Sequence, residues 1–168
     1  MIGRRLLVGA CAAFTLWAMP VAAQDRTIII QVPSPPYTAG SWTPTLIGST
    51  GGNWVLGTAV ASYEQIGRFV HVQGQITAGS SNSPTGNIQI GGLPAAAANV
   101  TNDNAACSIG YQDGLTNSAS YTTFTALVIK GTQVIAIYES GSAQTTQVAG
   151  VAKASSTPTI IFSCTYHT

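Results

Sequence analysis

The chain has 168 residues, a length that suits one domain, and only 7% of them are charged, against about 25% in a typical globular protein. Its formal net charge is +1, and residues 24–168 carry four basic and five acidic side chains, a net charge of −1. Without a basic patch to neutralise phosphates, the composition argues against a nucleic-acid partner. A near-neutral surface favours association between copies of the chain.

The N-terminal segment differs from the rest of the chain. Residues 1–23 combine an early pair of arginines, an apolar run over residues 6–19 and small residues before Ala23, which is the layout of a secretory signal peptide. An uncleaved apolar anchor is one alternative, and a lipoprotein site at Cys11 is another. In each case we expect a short N-terminal apolar helix.

Residues 24–40 are interpreted as an extended arm that ends in a proline-rich linker. The β-branched run Thr27–Val32 favours an extended backbone, and Pro33–Pro36 then stops any strand, because proline fixes φ and donates no hydrogen bond. The arm would add a strand to a neighbouring subunit or join the domain, residues 41–168, to whatever carries it.

Residues 41–168 show short apolar runs with turn residues between them and no amphipathic helix. Period-2 alternation predicts strands at 42–47, 54–56, 59–64, 68–77, 88–90, 106–111, 122–130, 134–138 and 159–166. A hairpin joins 59–64 to 68–77 at Gly67, and residues 78–85 are predicted to be an exposed loop. The predicted fold class is therefore all-β, an antiparallel β-sandwich or jelly roll.

Several segments occur in an order that is found in one protein family. Tyr-x-x-Ile-Gly-Arg-x-Val-x-Val-x-Gly-x-Ile starts at Tyr63, and Gly-x-Ile-x-Ile-x-Gly-Leu-Pro starts at Gly86. Gly-x-Trp-x-Pro-x-Leu precedes them from Gly40, and Ser108–Tyr111 and Phe162–Tyr166 follow. Together they resemble a β-sandwich module at the C-termini of bacteriophage tail fibres and tailspikes, over residues 40–168.

The resemblance implies a homotrimeric, non-enzymatic module of the virion that contacts a host surface glycan or outer-membrane receptor. The N-terminal arm would then contact other tail proteins. Residues 1–23 depart from the family, since phage fibre proteins rarely carry signal peptides. The alternative is an exported bacterial protein of the cell surface or periplasm, which binds glycans or is purely structural.

The residues themselves predict no catalytic site, metal or cofactor. Asp103 and Asp113 are the nearest pair of carboxylates, but they stand beside asparagine and glycine, in turns where aspartate is common for conformational reasons. His71 and His167 are the only histidines and stand far apart. His71 is either a half-exposed strand residue or, on a three-fold axis, part of a histidine cluster.

Three sets of residues are candidates for binding or pairing. Polar amides and aromatic rings suited to sugars predict ligand contacts at Tyr111, Gln112, Asp113, Asn117 and Tyr121, although each tyrosine could equally be a core residue. Phe69 and His71 share one face of a predicted strand and are candidates for an oligomer interface. Cys107, expected to share a face with Ile109 and Tyr111, and Cys164 form either a disulfide or two buried thiols.

Overall fold

A computed structural model of the chain describes residues 34–142 and 147–168. The predictions for residues 1–23, including the apolar helix, and for residues 24–33 of the arm lie outside the described residues. Residues 37–40 of the predicted arm lie in a strand that is paired with the domain. Within the described ranges, no helix is long and apolar enough to cross a membrane.

The described residues form ten strands and one 3₁₀ turn, Val151–Lys153. The strands are β1 Tyr37–Trp42, β2 Thr45–Gly48, β3 Gly51–Ile66, β4 Phe69–Thr85, β5 Ile88–Gly91, β6 Ala105–Leu115, β7 Thr123–Val128, β8 Val134–Ser140, β9 Gln147–Val148 and β10 Ala154–His167.

Eight strands close into an antiparallel barrel in the order β3-β2-β5-β8-β7-β6-β10-β4, with β4 returning to β3. β1 pairs with the second half of β3, and β9 pairs with β8. The all-β prediction is confirmed, but the strands make one continuous barrel rather than the two separate sheets of a sandwich or jelly roll. Bulges in the β3–β4 and β6–β10 pairs let these long strands bend around the ring.

The hairpin of β3 and β4 is longer than the sequence predicts. Gly67 has a φ of 58° at the first position of a two-residue turn, as a type II′ turn requires, and Ile66 pairs with Phe69 across it. The predicted loop at residues 78–85 instead continues β4 and pairs with the first half of β3. The polar side chains of this segment are mostly exposed to solvent. Their polar composition therefore indicates that the segment is exposed, but it does not indicate that the backbone is unpaired.

The core fills the inside of the barrel from strands that alternate in and out. β4 and β10 each bury every second side chain over most of their pairing, as period-2 patterning predicts. The largest side chains that are almost fully buried are Trp54, Tyr166, Leu46, Ile76, Ile88, Ile90, Leu93, Ile135, Ile137 and Ile160. The Trp54 indole N–H donates to the carbonyl oxygen of Ser155 at 3.0 Å.

The structure joins Cys107 and Cys164 in a disulfide. The two residues are register partners on β6 and β10, with their Cα atoms 4.3 Å apart. The sequence alone left this pairing open, because it does not show that the two strands are neighbours.

Candidate functional site

A cleft opens between β6 and β7 because these two strands pair over only three residues. Ala105–Cys107 pair with Ala126–Val128, and beyond them β6 follows β10 while the start of β7 stays with β8. From Ser108 onward, the edge of β6 therefore faces an opening instead of a neighbouring strand.

One extra residue in β6 decides which way its side chains point. Ile109 and Tyr111 pair with two consecutive residues of β10, so Gly110 between them is the extra residue of a bulge. Ile109 is half-buried, whereas Tyr111 is 53% exposed. The expectation that both share the face of Cys107 was wrong, because the bulge interrupts the period-2 alternation and turns Tyr111 outward.

The cleft has a volume of about 400 Å³ and a mixed lining. Its residues are Ile109, Gly110, Tyr111, Gln112, Asn117, Thr122, Thr123 and Phe124. Aliphatic and aromatic groups thus stand beside two amides and two hydroxyls. Such a lining suits a ligand that presents both C–H surface and hydroxyl groups.

The loop between β6 and β7 borders this cleft and is fixed by hydrogen bonds to two residues of other elements, Glu139 and Lys153. The Ser118 N–H donates to Oε2 of Glu139 at 3.1 Å, and the Thr116 N–H donates to the carbonyl oxygen of Lys153 at 2.7 Å. Glu139 is only 1% exposed, so it anchors the loop from inside the barrel. Sequence reasoning missed this role, for which the one available signal was a carboxylate in an otherwise apolar strand.

The structure brings three of the five predicted ligand residues into the cleft, namely Tyr111, Gln112 and Asn117. Asp113 follows them on β6, but its Oδ1 accepts the backbone N–H of Gly114 at 2.8 Å. Tyr121 is half-buried in the bordering loop and does not line the cleft.

Five lining residues were not predicted as ligand contacts: Ile109, Gly110, Thr122, Thr123 and Phe124. The sequence places the last three at the start of a strand, where nothing distinguishes them from ordinary strand residues. They reach the cleft only because β7 begins where β6 has already separated from it.

The two predicted interface residues lie away from the cleft, on the outward side of β4. Phe69 is exposed, and its ring centroid lies 5.9 Å from that of His167. His71 is also exposed, with Nδ1 3.0 Å from Oγ1 of Thr165 on β10.

Three other titratable side chains, Asp103, His167 and Tyr166, have structural partners. Oδ2 of Asp103 lies 2.8 Å from Nε2 of His167, which ties the loop before β6 to the end of β10. Burial raises the pKa of Tyr166 to about 12, and its hydroxyl donates to the carbonyl oxygen of Ala95 at 3.0 Å. In the part of the chain that the structure describes, no three His, Cys, Asp or Glu side chains are grouped as a metal site would require.

Comparison with known proteins gives one relationship. No protein-family model matches the chain, and no curated protein matches it. The crystal structure of Dettilon tailspike protein (gp208) has a similar fold, with a TM-score of 0.64 and 21% sequence identity. The match covers 78% of this chain and 24% of the tailspike chain, so the barrel shares its fold with part of a phage tail protein.

Proposed function

We propose that the chain is a non-enzymatic, adhesive or structural module of a phage tail fibre or spike that contacts the host cell surface. The observation that carries this proposal is the similarity of its barrel to part of a phage tailspike. The similar region is 24% of that tailspike's chain, which is the share expected of one module in a larger tail protein.

The chemistry of the cleft supports a glycan as the ligand. The exposed ring of Tyr111 can stack on the apolar face of a sugar, and the amides of Gln112 and Asn117 can exchange hydrogen bonds with its hydroxyls. An outer-membrane protein is the second possible receptor. The predicted contacts at Asp113 and Tyr121 lie beside the cleft and would reach only a ligand that extends beyond it.

The carboxylates support a binding role over hydrolysis. Cleavage of a glycosidic bond by the common mechanism needs two carboxyl groups that flank the bond. The described residues that line the cleft include no aspartate or glutamate. Glu139 is buried below the loop, and Asp113 accepts a hydrogen bond from its own turn.

The proposal includes an assembly. The module would be a homotrimer with Phe69 and His71 at the subunit interface, located in the virion, and residues 24–40 would contact other tail proteins. It needs no cofactor and no nucleic acid.

A second candidate is an exported bacterial protein of the periplasm or cell surface, which binds glycans or is purely structural. The Cys107–Cys164 disulfide favours it, since disulfides form and persist mainly in oxidising compartments. N-terminal sequencing separates the two candidates. An intact Met1 in assembled particles supports the virion protein, and a chain that starts at Gln24 supports the exported one.

The test of the binding role is a comparison of cleft variants for binding to host cells and to polysaccharide purified from them. Tyr111→Ala and Asn117→Ala should each weaken binding by about tenfold, because each removes a direct contact. Tyr111→Phe keeps the ring and should bind nearly as well as the wild type. Asn82→Ala, an exposed asparagine on β4 outside the cleft, is the matched control.

Two results would contradict the proposal. Wild-type binding that both cleft variants retain would show that the cleft is not the receptor site. Release of new reducing ends from the polysaccharide would show that the module is an enzyme.

A further inference from the structure

The exposed apolar side chains of the barrel are concentrated on one side. Eight large apolar side chains are exposed in the described residues, and seven of them lie on β1, β3, β4, β6 and β10; six of these, all except Val55, lie on one side of the barrel. The six are Tyr37, Val60, Ile66, Phe69, Tyr111 and Ile161. We call this side the outer face. Such a concentration marks an interaction surface, because monomeric proteins rarely expose large contiguous apolar patches.

Three of the six side chains form a projecting row, here called the knob. Tyr37, Ile66 and Phe69 are consecutive register partners on β1, β3 and β4, so their side chains stand next to one another. Tyr37 is 62% exposed, and Phe69 is 63% exposed. The row ends at His167, whose ring contacts that of Phe69.

The opposite end of the outer face is concave. A groove of about 540 Å³ lies there, and its outward residues are Ser41, Val60, Ser62, Gln73, Ser108, Gly110, Ile161 and Ser163. Its four serines lie in one row of register partners, and the two aliphatic side chains, Val60 and Ile161, lie in the adjacent row. The groove therefore has a floor of small residues and an apolar border on one side.

The knob cannot fill the groove of its own chain. Phe69 and Gln73 lie on the same strand, four residues apart, which is about 14 Å along an extended backbone. A phenylalanine side chain is much shorter than that distance. The knob can therefore reach only the groove of another copy, and its apolar side chains are of a size to occupy one.

The charge of the outer face suits contact between copies of the chain. Four rows of outward register partners cross this face. The first row is Tyr37, Ile66, Phe69 and His167, and the last row is Val60, Gln75, Ile161 and Tyr111. Within these described rows, Glu64 is the one side chain with a formal charge at neutral pH. Interface cores are depleted of charge in the same way, and two copies would meet without electrostatic repulsion.

The size of the outer face is also sufficient. Four rows of four or five outward residues, at about 4.8 Å between strands and about 6.8 Å between rows, cover on the order of 500 Å² of projected area. Side-chain relief raises the accessible area towards the roughly 800 Å² per partner of a stable interface.

We propose that a second copy of this chain docks on the outer face, with the knob of one copy seated in the groove of the next. The inference builds on the proposed homo-oligomer and defines its contact surfaces. In the proposed contact each copy gives its knob to one neighbour and its groove to another, which is a heterologous arrangement that closes into a ring when the rotation between copies allows it. Gly110 lines both the groove and the cleft, so the glycan cleft would lie beside the subunit boundary.

The test removes the knob and the groove separately in the full chain. Phe69→Asp places a charge on the knob, and Ser163→Trp fills the groove. Each variant should be monomeric by native mass, with association weakened by about tenfold or more. Ser62→Trp fills the groove from β3 and is used if Ser163→Trp unfolds at a lower temperature than the wild type. Val55→Asp, an exposed valine in the first half of β3 beyond the four rows of the outer face, is the matched control and should assemble like the wild type.

Mixing the two variants gives the decisive result. Phe69→Asp keeps its groove and Ser163→Trp keeps its knob, so an equimolar mixture should form heterodimers, although each variant alone does not. A mixture that stays monomeric overturns the proposal, as does a wild type that remains monomeric. Dissociation by Phe69→Asp alone, with Ser163→Trp and Ser62→Trp unaffected, would identify a knob-to-knob contact and also overturn it.

The failure of this inference is distinguishable from failure of the proposed function. Native mass reports the interface, whereas polysaccharide binding by the Tyr111 and Asn117 variants reports the receptor site. A wild type that binds host polysaccharide as a monomer would refute the interface and leave the binding role in place.

Discussion

Cys107 and Cys164 face each other across β6 and β10, and their disulfide lies where the cleft begins. Cys107 pairs with Cys164 on one side and with Ala126 of β7 on the other, and it is the last residue of β6 that pairs with β7. The disulfide therefore fixes β6 at the point where it separates from its neighbour. It also closes a loop of 57 residues that contains β7, β8 and β9.

Replacing both cysteines with alanine should destabilise the barrel by about 2–4 kcal/mol, because the unfolded chain regains the freedom of that long loop. Denaturant unfolding with and without a reductant measures the effect. The reductant should lower the stability of the wild type and leave the double variant unchanged. A wild type that is equally stable in both conditions, with two titratable thiols, would contradict a structural disulfide.

Local patterns in the sequence were sufficient for most of the strands, but not for residues 37–40 and 78–85 or for the closure of the barrel. Gly67 within alternating residues identified the central hairpin, because both signals depend on a few neighbouring positions. The pairing of β4 with β10, which completes the ring, joins residues at least 82 positions apart, the smallest separation being that of Thr77 and Thr159. No local pattern encodes that contact.

In the candidate site, too, some features follow from the local sequence and others depend on contacts between distant strands. Tyr111, Gln112 and Asn117 were predicted as ligand contacts from their chemistry alone, since amides and aromatic rings suit sugars, and the structure places all three in one cleft. The outward turn of Tyr111 depends on a bulge at Gly110, which exists only relative to β10. The support from Glu139 likewise depends on which loop lies over β8.

Gly74→Ala should destabilise the barrel by about 1–3 kcal/mol, because the site is overpacked by even one methyl group. A Cβ at Gly74 would lie 2.8 Å from Cβ of Ala61 and 3.1 Å from Cζ of Phe162. Gly110→Ala is the matched control, since a Cβ there meets nothing within 4 Å. Equal thermal stability of the two variants would show that the core around Gly74 adjusts freely.

Tyr166→Phe should change how stability depends on pH. Tyr166 has a pKa of about 12 in the folded state, against about 10 when unfolded, so the unfolded chain releases the proton first. The contribution of Tyr166 is therefore complete below about pH 10 and is lost as the pH rises towards about 12. The difference in unfolding free energy between wild type and variant should shrink over that range. A difference that stays constant would show that Tyr166 does not titrate with a raised pKa.

Trp54→Phe should be more destabilising than Trp42→Phe, although both indoles are buried. The Trp54 N–H donates to the carbonyl oxygen of Ser155 at 3.0 Å, and phenylalanine removes that bond. The Trp42 N–H is buried without a hydrogen-bond partner among the described residues, and its ring meets Phe162 edge to face, with centroids 6.2 Å apart.

Phenylalanine at position 42 removes an unpaired buried donor, which stabilises the folded state, and it also removes some packing, which destabilises it. The two substitutions lose a similar volume, so the hydrogen bond should separate them by about 1–2 kcal/mol. Denaturant unfolding followed by circular dichroism measures the unfolding free energy of each variant. Circular dichroism is preferred to fluorescence because each variant lacks one tryptophan. Equal losses would show that packing alone, and not the bond to Ser155, determines what each indole contributes.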